Sequence, residues 1–97
     1  MERSEIIELV IECLHDQLEQ EEVILSQPVD DSTPLIGKNA MLSSLGLVQL
    51  VLDVEQRLLL EHGIIVTLAD ERALSQKSSP FRTVKSLADY INQVMHE

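Results

Sequence analysis

The sequence predicts an all-α fold: a four-helix bundle with three main helices, one short third helix and a long first loop, formed by residues 1–97 as a single domain. Three observations predict it. Apolar residues recur at three- and four-residue spacing in three long stretches. A length of 97 residues suits one domain. The apolar content of 44% supplies a core, and that core must be aliphatic because Phe81 and Tyr90 are the only aromatic residues.

The first helix is expected over residues 4–19. Ile6, Ile7, Val10, Ile11, Leu14 and Leu18 share one side, Ser4 serves as N-cap, and Glu5 and Glu8 suit the positive end of the dipole. Cys13 borders the apolar side and reads as a small buried side chain rather than a reactive thiol. A long connection follows over residues 20–42, where Pro28, Pro34 and Gly37 break any helix and Asp30, Asp31 and Ser32 favour turns. Leu35 and Ile36 are expected to pin it to the core.

The second helix is expected over residues 44–62, between a Ser43 cap and a Gly63 stop. At about 100° per residue its side chains sort into three sectors. Leu47, Leu50, Val51, Val54 and Leu58 form a core stripe. Gly46, Gln49, Asp53, Gln56, Arg57 and Leu60 form a solvent face. Leu45, Val48, Leu52 and Leu59 form a second apolar stripe on the side of Ser44. A helix with one core face needs one stripe, so the second either packs inside the bundle or docks a partner. Residues 64–66 are expected as a buried extended connector, residues 67–74 as a short helix capped by Thr67, and residues 75–82 as a loop. Thr83 then caps a last helix carrying Val84, Leu87, Ala88, Ile91, Val94 and Met95 inward, with Phe81 and Tyr90 as core fillers.

Charge narrows the function. Seven Lys and Arg stand against 17 Asp and Glu, a net of −10, which argues against nucleic acid and disfavours an anionic membrane surface. Residues 1–31 hold ten of the acids and one base, Arg3, so the acidic field belongs to the first third. It reads as a solvated face or as a surface that steers a basic partner. No stretch approaches the ~20 apolar residues of a membrane span. The start, Met1-Glu2-Arg3-Ser4-Glu5, lacks the pattern of a signal peptide. A lone cysteine forms no internal disulfide and anchors no cysteine-based metal site, which suits a reducing cytoplasmic setting.

Catalytic patterns are missing from the sequence, and no enzyme activity is expected. His15, His62 and His96 form no metal-binding pair, and the three glycines are isolated. His62 shares an azimuth with Ser44 but stands about 27 Å along the helix, too far to act as its base. Ser44 is distinctive by position: a first helical turn offers free N–H groups and a positive dipole end to an anion. Ser43 and Ser44 also read simply as capping residues.

The run Leu42-Ser43-Ser44-Leu45-Gly46-Leu47-Val48-Gln49-Leu50-Val51 resembles the signature of the acyl carrier protein family, in which an Asp-Ser-Leu triplet opens the second helix. Val54-Glu55 with Leu58, the connector Gly63-Ile64-Ile65-Val66, and Thr83-Val84-Lys85-Ser86-Leu87-Ala88-Asp89-Tyr90-Ile91 resemble later parts of the family in the right order. The resemblance covers most of residues 4–95. It implies a monomeric four-helix carrier, with 4′-phosphopantetheine from coenzyme A attached to Ser44 through a phosphodiester. Acyl intermediates would ride on its thiol as thioesters in a fatty-acid, polyketide or specialised lipid pathway. The implied partners are a phosphopantetheinyl transferase and acyl-loading and acyl-processing enzymes, contacted through Leu45, Val48, Gln49, Leu52, Asp53 and Glu55.

The sequence departs from the family in three ways. Ser43 replaces the triplet's Asp, residues 44–60 carry only Asp53 and Glu55 against Arg57, and residues 74–82 are longer than usual. These departures imply a specialised carrier with more apolar partner contacts. Two other readings stay open: an aminoacyl or peptidyl carrier, which the missing glycine pair before Ser44 disfavours, and an unmodified acidic helical adaptor.

Overall fold

Apolar spacing of three and four residues drives three helices onto one another. A computed structural model describes residues 2–22, 29–36, 42–68 and 80–96, except the side chain of Ser44. Helix α1 spans Arg3–Gln20, α2 spans Ser44–His62 and α3 spans Val84–Met95. Among the described residues the secondary structure is helical, with one isolated bridge between Pro34 and Thr83. The described residues therefore hold three helices where the sequence predicts four. Thr67 and Leu68, the expected start of the short helix, are not helical, and residues 69–74 lie outside the described residues. Leu68 is instead fully buried, and its N–H donates to Glu55 Oε1 at 2.8 Å, which holds the end of the connector against α2.

Helix α1 packs against both α2 and α3. Two neighbours require a wide buried arc, and Ile6, Leu9, Val10, Cys13, Leu14, Gln17 and Leu18 supply it. Ile7 and Ile11, expected on the apolar face, sit half-buried at its edge. The N-cap is Glu2 rather than Ser4, and the Glu2 N–H donates to Glu5 Oε1 at 3.3 Å. An ion pair of 2.7 Å between Arg3 and Asp89 ties α1 to α3.

The loop before α2 is pinned by backbone bonds. Val84 N–H donates to Thr33 O at 3.2 Å and Lys85 N–H to Asp31 O at 2.8 Å, so loop carbonyls satisfy donors of the first turn of α3. Thr83 Oγ1 takes a third, from Ser86 N–H at 3.1 Å, as a capping box. Leu35 N–H donates to Arg82 O at 2.8 Å, and the Leu35 side chain is buried. Ile36, the second expected pin, is 36% exposed: the chain bends at Leu35 and Ile36, and only Leu35 reaches the core. The Ser32 hydroxyl and N–H both bond the Asp30 carboxylate, which holds its pKa below the usual carboxylate range.

Gly63 ends α2 in the left-handed conformation at φ +66°, where a glycine avoids the Cβ penalty. The connector then alternates. Ile64 and Val66 pack against the core, whereas Ile65, expected inside, is 84% exposed. Tyr90 is buried and Phe81 half-buried against the same core.

Leu58 has no exposed surface, whereas Leu60, two residues on, points away from the core. Leu58→Ala is expected to cost about 2–5 kcal/mol in urea unfolding. Leu60→Ala is expected to stay within about 0.5 kcal/mol. Equal losses at the two positions would mean that α2 is rotated from the orientation described.

Candidate functional site

The candidate site is the start of α2 and the face that runs from it. Leu50, Val51, Val54 and Leu58 are buried, and Leu47 packs against the same core at partial exposure. Committing that arc inward turns the second apolar stripe outward. Leu45 is 67% exposed, Val48 55%, Leu52 51% and Leu59 48%. The stripe is thus on the surface and not inside the bundle.

Ser43 opens the helix as expected, its Oγ accepting from Gly46 N–H at 3.0 Å. Ser44 is the first helical residue, and its side chain lies outside the described residues. A carboxylate also lies at this turn. Ser43 Oγ donates to Glu21 Oε1 at 2.7 Å, and a Cβ added at Gly46 would stand 2.6 Å from Glu21 Oε2. Gly46, expected on the solvent face, is buried in consequence. Glu21 comes from the C-cap of α1. Glu22 then turns the chain away at φ +57°, a conformation that costs a non-glycine residue about 1–2 kcal/mol.

The polar residues assigned to partner contact have partners within the molecule. Gln49 Oε1 accepts from Nε2 of the buried Gln17 at 3.2 Å. Glu55 holds Leu68 N–H. Asp53 lies 3.4 Å from Arg57, whose guanidinium also bonds Asp16 and stands 3.8 Å from Glu12. The Asp16 hydrogen bond chiefly, with the Asp53 charge adding, pushes the Arg57 pKa up. The six assigned residues therefore divide: Leu45, Val48 and Leu52 project outward, Gln49 and Glu55 also join α2 to the rest of the fold, and Asp53 pairs with Arg57 within α2.

A groove of about 570 Å³ runs between α1 and α2 beside the stripe. Leu52 and Gln56 line one side, and Asp16, Glu19 and Gln20 the other. Helix α1 thus places Asp16 and Glu19 next to the stripe. The i, i+4 spacing of Asp53 and Arg57 is readable in the sequence. Glu21 and Gln17 carry no local signal, and a glycine interrupting an aliphatic helix was the one hint of a close approach.

Cys13 has no exposed surface. Burial chiefly, with the Asp53 carboxylate adding, pushes its thiol from 9.0 up to about 12. The folded state holds this proton longer than the unfolded chain does. Its contribution to stability is therefore complete below pH 9.0 and is lost as pH rises toward 12. At pH 8 a thiol reagent is expected to leave Cys13 unlabelled in the folded protein and to label it fully in denaturant. Labelling at the rate of a free thiol in buffer would contradict the packing of α1 against α2.

No helix among the described residues is long and apolar enough to cross a membrane. Compared with known proteins, the chain matches no family model, no curated protein and no solved structure.

Proposed function

We propose that the protein is a discrete acyl carrier in which Ser44 holds a 4′-phosphopantetheine arm and partner enzymes perform the chemistry. The reading includes the short helix expected between α2 and α3. The observation that carries it is the row of large apolar side chains, Leu45, Val48 and Leu52, standing out of α2 directly after Ser44. A shuttle needs a face like this, open to several partners in turn, and a tether within reach of it.

Two further features support the reading. The start of α2 already accommodates a negative charge, the Glu21 carboxylate, as a turn that is to bear a phosphodiester must. The acids of α1 flank the apolar stripe, which suits enzymes presenting a basic rim. On this reading the Ser44 hydroxyl oxygen bonds to the pantetheine-side phosphorus of coenzyme A. The pyrophosphate bond breaks, adenosine 3′,5′-bisphosphate leaves, and the hydroxyl proton passes to solvent. Loading and processing enzymes then act on the thiol.

An unmodified helical adaptor would use the same stripe, and the two readings part at Ser44. Incubated with coenzyme A and a broad-specificity phosphopantetheinyl transferase, the protein is expected to gain one phosphopantetheinyl group by intact mass. The gain should vanish in Ser44→Ala and persist in Ser43→Ala. No gain with several transferases would overturn the carrier reading in favour of the adaptor.

The stripe is tested separately. Leu52→Asp is expected to leave the melting temperature within a few degrees, as surface substitutions do. It should lower the kcat/KM of modification about tenfold, the loss of one apolar anchor. Unfolding of Leu52→Asp, or modification at the parent rate, would contradict the docking role of this face.

A further inference from the structure

The last turn of α1 and the residues after it carry Glu19, Glu21 and Glu22, at the end of a helix where the dipole disfavours acids. Glu21 meets the opposite end of another dipole. Its carboxylate closes a chain in which Gly46 N–H donates to Ser43 Oγ and the Ser43 hydroxyl donates to Glu21 Oε1. Its second oxygen, Oε2, is buried and has no hydrogen-bond partner among the described residues. Such an oxygen is tolerated where a positive field compensates it, and the first turn of α2 provides that field. The absence of a side chain at Gly46 provides the room, since an added Cβ would lie 2.6 to 2.9 Å from the carboxylate atoms.

We propose that Glu21 is the resident anion of the α2 N-terminus and that an anion attached at position 44 competes with it, so that modification of Ser44 uncouples the end of α1 from the start of α2. Two negative groups within one helical turn share a single positive end, and each weakens the hold of the other. Attachment is covalent, so the attached group stays and the Glu21 side chain leaves. Glu21 then acts as a latch that is closed in the unmodified protein and released after modification. Its use as a signal of loading state rests on the carrier reading, whereas the competition itself does not.

The test is a double-mutant cycle on the full chain, read by thermal unfolding at low ionic strength, with Ser44→Asp placing a carboxylate at the first helical position. In the Glu21→Gln background, Ser44→Asp is expected to raise the melting temperature by about 2–5 °C, the usual gain of an acid at a helix N-terminus. With Glu21 present the same substitution should raise it by less than about 1 °C, or lower it. Glu21→Ala serves as a second background, so the cycle does not depend on how the Gln amide bonds to Ser43. Equal shifts with and without Glu21, or a larger gain with Glu21 present, would overturn the competition. Amide hydrogen exchange at Leu18–Gln20 gives an independent readout: Ser44→Asp should speed it in the parent and leave it unchanged in Glu21→Gln. No transferase takes part, so failure here leaves the carrier reading standing, and failure of modification leaves the latch standing.

Discussion

Four side chains, Leu50, Val51, Val54 and Leu58, hold α2 against the core, and the surface of the molecule follows from that commitment. A helix repeats every 3.6 residues, so fixing one arc fixes every other. Once those four point inward, Leu45, Val48, Leu52 and Leu59 have no choice but to face outward. The apolar character of the outer stripe is then unexplained by folding, because solvent-facing helix positions are as stable with polar residues. The proposed function is an answer to that surplus of exposed aliphatic surface.

The second organising feature is α1. Lying against both other helices, it carries the contacts that set their positions, and much of its acidity is used internally. Glu12 and Asp16 meet Arg57 and Glu21 meets Ser43, while the base of α1, Arg3, meets Asp89 of α3. Partly exposed ion pairs contribute little each, about 0–1 kcal/mol, so their value here is in register more than in strength. Asp16 and Glu19 of α1 also line the groove beside Leu52. A surface that is apolar along α2 and acidic along α1 is therefore built from two helices.

What the sequence reveals and what it hides divide along physical lines. Periodicity and capping are local, so the ends of α2, the Thr83 cap and the inner stripe are legible. The departures arise where tertiary contacts decide. Glu2 caps α1 in place of Ser4, Ile36 and Ile65 swing outward in the loop and the connector, and the short helix is not seen in its first two residues. The site divides the same way. The exposure of Leu45, Val48 and Leu52 follows from helical geometry. The partners of Gln49 and Glu55 stand 32 and 13 residues away along the chain, and Glu21 likewise reaches Ser43 across 22 residues. No local pattern encodes a contact of that separation.

An exposed stripe, a helix start that holds a carboxylate and an acidic flank are the features on which the proposed carrier function rests. The central claim is the tether at Ser44. Its most direct measurement is the intact mass of the protein purified from its native cells, followed by fragmentation of the peptide that contains residue 44. The account predicts one phosphopantetheinyl group per chain, located on Ser44. A chain that carries no such group under every condition in which it is made would contradict it.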